Sequence, residues 1–382
     1  MTGKTTKVIH LALDPVTGPW SVMRELALAQ LRSGKYAEVA LGVVASGEWG
    51  EAYRAEARGL PLRVFTSATP DGIGTVKFLR QRLKRPPIGE WVGAMHAGGV
   101  ERVVCHFHNA WMSGVFLPLP EVAGVEVRAV VTVHGVNEAF EGKPVRRMLH
   151  RWMAGRLVRY GARLTSVDAG NLERAERVLG LPRERFTVVA NGVEPGLEGP
   201  RWTGEGEMVL GHLGSMTEQK GWRMAAEAVE RVAAGGRRVR LLMAGEGPDD
   251  EEARVVAAAS GGVVEFVGRV ARPREEFLPR IHGLVVMSRQ EGLPMSMIET
   301  MAQGTPVVAT AVGGIPDALE GGRAGVLVER TVEALEAAIL RLYDEPAEWR
   351  RVAEGAGAVF AERFAISGIV AEYDEVYEKA FL

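Results

Sequence analysis

Short apolar runs rich in β-branched residues recur along the chain, separated by longer stretches whose apolar positions repeat with helical spacing. In the first half, residues 8–13, 39–44, 102–107 and 127–133 carry such runs and predict buried strands. Strand-helix alternation of this kind predicts right-handed crossovers and a parallel sheet covered on both faces. The pattern stops at residues 191–208, which are rich in Gly, Pro and charge and show neither period, so a linker is expected there. It then restarts at 208–213, 239–244, 263–267, 284–288, 307–310 and 325–328. The chain therefore reads as α/β, with two doubly wound domains at residues 1–190 and 191–364. In residues 365–382, Ile369, Val370, Tyr373 and Val376 form an apolar stripe behind a plausible cap at Ser367. This tail predicts a last helix that packs back on the first domain.

Composition adds limits. A length of 382 residues suits about two domains, and 47% apolar with 25% charged residues leaves little support for disorder, collagen-like repeats or coiled coil. No run approaches the ~18 apolar residues of a membrane span, and the polar start, Met1 to Lys7, is no signal core. A cytoplasmic address is expected. The single cysteine, Cys105, excludes an intramolecular disulfide and a cysteine-based metal cluster, and its apolar neighbours predict a buried thiol.

A formal charge of −2 conceals an asymmetry between the halves. Residues 1–190 hold 26 Lys/Arg against 17 Asp/Glu, and the remainder 20 against 31. The basic half fits an anionic surface or a phosphorylated acceptor, and equally a solvated exterior. From Val145 to Arg163 there are six arginines and no acid, with Leu149, Met153, Leu157 and Tyr160 as a helical stripe. That pattern suits peripheral contact with an anionic membrane at its inner face, and also a stripe turned to the core below a basic face. No nucleic acid partner is expected.

The densest chemistry lies in residues 288–299, a strand end, a Gly/Pro turn and a helix start capped by Ser296. Glu291 and Glu299 flank that helix N-terminus. Its unpaired N–H groups attract phosphate, while carboxylates accept hydrogen bonds from vicinal hydroxyls, a combination suited to a sugar nucleotide. The spacing alone equally allows Glu299 as a first-turn glutamate favoured by the helix dipole and Glu291 as an ordinary loop residue.

Glu291 and Glu299, with the continuation from Ala302 to Pro316, resemble the E-x7-E signature of glycosyltransferase family 4. The resemblance extends to Val188–Val193, Lys220-Gly221, Met243–Pro248 and Phe266–Arg269, and less specifically to His106–Trp111 and Val131–Gly135. It implies the GT-B fold: two Rossmann-like domains facing across a cleft, the first binding acceptor and the second the donor. It implies retaining transfer of a sugar from a UDP or GDP sugar to a carbohydrate or lipid-linked saccharide, in polysaccharide or glycoconjugate biosynthesis. No metal and no cofactor are implied, and no Asp-x-Asp motif is evident.

By the same resemblance Glu299 meets the nucleotide ribose, Glu291 with Gly292, Leu293 and Pro294 meets the donor sugar, and Lys220 holds the diphosphate. Gly268 and Arg269 lie where the base would rest. The family commonly has arginine five residues before the lysine; this chain has Ser215, for which Arg269 or Arg289 could compensate. Gly18 would approach phosphate, and His134, after a strand, would position the donor. Glu291, Lys220 and His134 are thus the expected catalytic set, and His106, His108, Asn109 and Trp111 the expected acceptor-facing set. His106, His108 and His134 could also be imagined as a zinc site, for which the resemblance supplies no role. A nucleotide-sugar epimerase and a noncatalytic nucleotide-sugar-binding protein are the competing functions.

Overall fold

A computed structural model describes residues 5–13, 18–45, 57–66, 99–108, 117, 119, 121–136 and 144–382. The chain forms two compact units, Met1–Gly192 with Ile366–Leu382, and Val193–Ala365.

In the first unit the strands are β1 (Thr6–Leu13), β2 (Glu38–Ala45), β3 (Leu62–Thr66), β4 (Arg102–His108), β5 (Glu126–Val133), β6 (Arg163–Ser166) and β7 (Phe186–Val188). They pair in parallel in the order β3-β2-β1-β4-β5-β6-β7. Helices α1 (Gly18–Ser33), α2 (Pro144–Tyr160) and α3 (Ala169–Leu179) belong to the same unit. Asp168 caps α3 by accepting from the Asn171 N–H at 2.7 Å, and Gly180 ends it in the left-handed conformation.

The second unit contains β8 (Met208–Leu213), β9 (Val239–Ala244), β10 (Val264–Gly268), β11 (Gly283–Val286), β12 (Val307–Thr310) and β13 (Val326–Val328). Their parallel order is β10-β9-β8-β11-β12-β13, the doubly wound arrangement in which strand order reverses between β8 and β11. Its helices are α4 (Trp222–Ala234), α5 (Asp250–Ala259), α6 (Pro273–Glu276), α7 (Met295–Met301), α8 (Ile315–Ala318), α9 (Val332–Asp344) and α10 (Pro346–Arg363). On α4, Trp222, Ala225, Ala226, Val229 and Val232 are buried at helical spacing and pack with Leu241, Met243 and Val308 from the sheet. Residues 193–207 open the second unit without a helix or strand beyond the Val193–Ala365 bridge, with the Gly196 N–H on the Ala302 carbonyl and the Gly199 N–H on that of Gln303.

The last helix, α11 (Ile366–Ala380), lies against the first unit's sheet, where Ile369, Val370, Tyr373 and Tyr377 pack with Val8, Val104 and Val130. The opposite face buries Ile9, Leu11, Val103, Cys105 and Phe107. Burial pushes the Cys105 thiol up to about 12. Strands β3, β6 and β7 extend the first sheet beyond the runs that sequence spacing marks, because they are short and Arg63, Arg163, Thr165 and Thr187 interrupt their apolar character. Two expected caps are corrected. Ser367 lies inside α11, and α7 starts at Met295 after Pro294 with Ser296 already helical, because proline fixes the entry φ and serine's hydroxyl is not needed there.

Candidate functional site

In an open α/β sheet the crevice beyond the strands' carboxyl ends, where strand order reverses, is the place a ligand fits. In the second unit that place lies beyond β8 and β11. Lys220 comes from the loop after β8 and Glu291 from the loop after β11, and the structure brings them together: Lys220 Nζ donates to Glu291 Oε1 at 2.6 Å. Ser288, buried at the end of β11, donates to the same oxygen at 2.6 Å. The lysine side chain keeps 28% of its exposure and the glutamate 11%, so the pair sits at a surface rather than in the core.

Glycines make this geometry available. Gly221 has φ +71°, and a Cβ there would run into the Met287 carbonyl, which lets the Lys220 loop lie on the end of β11. Gly313, at φ +57°, is pressed against the Glu291 carbonyl, and the Gly314 N–H donates to the Gly292 carbonyl at 2.9 Å. Arg330 joins the two loops, donating to the Met287 carbonyl at 3.0 Å and the Glu218 carbonyl at 2.9 Å. Burial, with the like charge of Arg289, lowers its pKa. Ser288 opens the segment that the sequence marks as densest in chemistry but has no role assigned there, and Arg330 does not stand out, since an arginine after a strand is common in itself.

The remaining expected donor residues lie after β8 and β11, at the end of β10 and on α7. Gly292, Leu293 and Pro294 form the turn into α7, with Leu293 buried, and Glu299 lies half-buried on α7. Ser215 is exposed after β8, and Gly268 ends β10 with φ +71°. The Gly245 N–H donates to the Gly268 carbonyl at 2.9 Å, tying the β9 and β10 loops together. Arg269 is exposed with Nη1 3.5 Å from Glu246, and Arg289 donates to Glu218 at 2.8 Å, so both cations offered as replacements for arginine at position 215 face carboxylates. His212 is buried on β8; burial, and then the Lys220 charge, bring its pKa down to about 4.

The first unit's histidines sit differently from expectation. On β1, β4 and β5 the side chains alternate, and Val8, Val104 and Val130 share a face with His10, His106, His108 and Thr132 toward the strands' carboxyl ends. His106 is 0% exposed and sits beneath α11, with Nδ1 2.8 Å from the Tyr377 hydroxyl and Nε2 2.6 Å from Thr132 Oγ1. His108 is 1% exposed, between His10 at 3.0 Å and His134 at 3.0 Å. The acceptor-facing placement of His106 and His108 is therefore corrected: their ring nitrogens are used inside the unit. Burial holds both pKa values well below 6.5 and brings those of His10 and His134 to about 4.

The trio whose ligand atoms fall within 4.8 Å of one another contains His10, not His134, beside His106 and His108. Each of these six ring nitrogens has a protein partner within 3.0 Å: Gln30, His10, His108, His134, Tyr377 or Thr132. His134 is half-buried just after β5. Gly18 opens α1. Asn109 and Trp111 lie outside the described residues. On α2, Met153 and Leu157 are buried in the core, so that part of the basic segment's stripe is turned inward, whereas Arg147, Met148, Arg151, Trp152 and Arg159 are exposed. No helix among the described residues is long and apolar enough to cross a membrane.

Residues 207–345 match the sequence family described as glycosyl transferases group 1, and residues 17–192 the glycosyl transferase 4-like domain. With the two Rossmann-like sheets, these matches make each of the two units similar to a glycosyltransferase domain of the GT-B kind. The 2-deoxystreptamine glucosyltransferase of Streptomyces kanamyceticus is 31% identical over 183 residues, 46% of this chain and 47% of its own. The match to that relative thus spans about half its length. Glycogen synthase of Mycobacterium tuberculosis is 26% identical over 297 residues, 72% of this chain and 68% of its own. Among solved structures, Anabaena HepE in complex with UDP and glucose superposes with a TM-score of 0.72 at 17% identity, covering 97% of this chain and 99% of that one. Sucrose-phosphate synthase of Thermosynechococcus elongatus gives 0.70 at 18% identity, with 98% and 99% covered.

Proposed function

We propose that the protein transfers a sugar, with retention of anomeric configuration, from a UDP or GDP sugar to a carbohydrate or lipid-linked saccharide acceptor. The observation that carries this reading is the Lys220–Glu291 pair at the strand-order reversal of the second unit, built from two loops that glycines hold against each other. Paired as they are, the ammonium and carboxylate neutralise one another. An incoming diphosphate offers Lys220 a stronger anion, which frees Glu291 to accept from donor-sugar hydroxyls while Ser288 keeps its carboxylate in place. Lys220 then meets the negative charge that builds on the diphosphate as the glycosidic bond breaks.

In this reading Glu299 accepts from the ribose hydroxyls, Gly292, Leu293 and Pro294 border the sugar, and Gly268 and Arg269 border the base. Gly18 and His134 are the first unit's own candidates for meeting a substrate. No metal and no cofactor take part, since Lys220 supplies the charge that a cation would otherwise bring. Retention needs no enzyme nucleophile if the donor phosphate guides the acceptor to the face it leaves. HepE was crystallised with UDP and glucose, which supports a nucleotide-sugar donor here. The test is transfer by folded Lys220→Ala and Glu299→Ala variants: loss of turnover in each is expected, and near-normal transfer by both would defeat the mechanism.

A cytoplasmic protein touching the inner membrane face is the corresponding location. The exposed Met148 and Trp152 beside Arg147 and Arg151 on α2 support it. Sedimentation with anionic vesicles at low salt should exceed that with neutral ones; equal sedimentation removes the membrane from the proposal.

A further inference from the structure

Neutral imidazole has one N–H and one lone pair, so in a file of ring-to-ring hydrogen bonds each ring must donate through one nitrogen and accept at the other. Three histidines of the first unit stand in such a file, and it begins at a side-chain amide. Gln30 is 0% exposed, and its Oε1 lies 2.7 Å from His10 Nε2. An amide oxygen only accepts, so His10 carries its proton on Nε2 and its lone pair on Nδ1. His10 Nδ1 lies 3.0 Å from His108 Nε2, which must donate. That leaves the lone pair of His108 on Nδ1, 3.0 Å from His134 Nε2, which must donate in turn. His134 is left with an unprotonated Nδ1.

The amide orientation is consistent with its other end. Gln30 Nε2 donates to the Tyr377 hydroxyl at 3.2 Å. The hydroxyl can then donate to His106 Nδ1 at 2.8 Å, and His106 Nε2–H to Thr132 Oγ1 at 2.6 Å. One amide orientation thus satisfies two branches, in a place where an unmet polar group is costly. Reversing any single ring leaves two lone pairs or two N–H groups facing each other; only turning the amide over reverses both branches together, which would put the His134 proton on Nδ1.

We propose that Gln30 is a positioning residue that fixes the ring tautomer of His134 through His10 and His108. His134 consequently presents an acceptor at Nδ1, which suits a hydroxyl and mismatches a phosphate oxygen, itself only an acceptor at neutral pH. The use of that acceptor toward a sugar rests on the transferase reading; the tautomers do not.

The test is long-range proton–nitrogen NMR of the full chain labelled with 15N-histidine, which reads the tautomer of each ring without any sugar nucleotide. In the native protein His10, His108 and His134 should all show the Nε2–H form. Gln30→Met removes the acceptor at the head of the file and should shift the His134 nitrogens toward a mixture of tautomers. In a His10→Phe background, which cuts the file, adding Gln30→Met should leave the His134 shifts unmoved. A native His134 protonated on Nδ1, or a His134 that ignores Gln30→Met, overturns the proposal. Zinc retained by the purified native protein and lost on mutating His10 overturns it too. The native spectrum alone can contradict the assignment, so a misfolded variant does not shelter it. If the file holds but no nucleotide sugar is turned over, the transferase reading fails and the tautomer relay stands.

Discussion

The two units use one topology and fill its reversal point in opposite ways. Beyond β8 and β11 stands a charged pair that keeps part of its exposure, 28% for Lys220 and 11% for Glu291. Along β1 and β4, the corresponding strands of the first unit, His10 and His106 are 0% exposed, and burial keeps them neutral. The physical difference is the covering helix. α11 lays Tyr373 and Tyr377 across the first sheet, and polar groups buried there must satisfy one another without charge. Lys220 and Glu291, at a partly solvated rim, can exist as ions and exchange partners with a ligand. The charged pair thus stands at a partly solvated rim, and the neutral hydrogen bonds lie beneath a covering helix.

The comparison can be broken most severely at Lys220. Lys220→Ala should lower kcat/KM on the order of 100- to 1000-fold, the cost of removing a preorganised group from a developing charge, while the melting temperature changes little. A comparable loss of stability would mean that the pair serves the fold.

Acid should act on the first unit's histidines and, through His212, on the second unit as well. The folded pKa values of His10 and His134 are about 4 against an ordinary 6.5, so between these limits the unfolded chain binds more protons. Stability should therefore be fully present above pH 6.5 and decline as pH falls toward 4, by about 1.4 kcal/mol per unit for a fully buried ring. Thermal melts across that range, repeated with His10→Phe, check the sign; a flat profile contradicts it.

Smaller effects sharpen the second site. Gly221→Ala places a Cβ against the Met287 carbonyl at a positive φ and should cost about 1–3 kcal/mol in chemical denaturation. It should also weaken donor binding by moving Lys220. Ser288→Ala removes one of two donors to Glu291 Oε1 and should cost about 1 kcal/mol, visible as a several-fold rise in donor KM with kcat nearly kept.

Much of this is legible in the sequence. β8, β9 and β12 occupy the residues marked by their apolar runs, since a strand buried on both faces writes itself as a continuous run. Glu291 and Lys220 were legible as chemistry, but spacing could not tell that they pair, because their 71-residue separation is closed only by sheet topology. The histidines of β4 were visible as an alternating pair, and their side of the sheet was not: which face α11 covers depends on a contact between residues hundreds of positions apart. Gln30 was hidden altogether, as one polar residue in a helix whose neighbours gave no reason to expect it at 0% exposure.

The most direct measurement is calorimetric titration of UDP-, GDP- and ADP-sugars into the native protein and into Lys220→Ala. The account predicts that UDP- or GDP-sugars bind the native protein and that Lys220→Ala weakens the binding at least about tenfold, a loss of roughly 1.4 kcal/mol. Absence of binding by every nucleotide sugar, or equal binding by both proteins, would contradict a donor site built on Lys220 and Glu291.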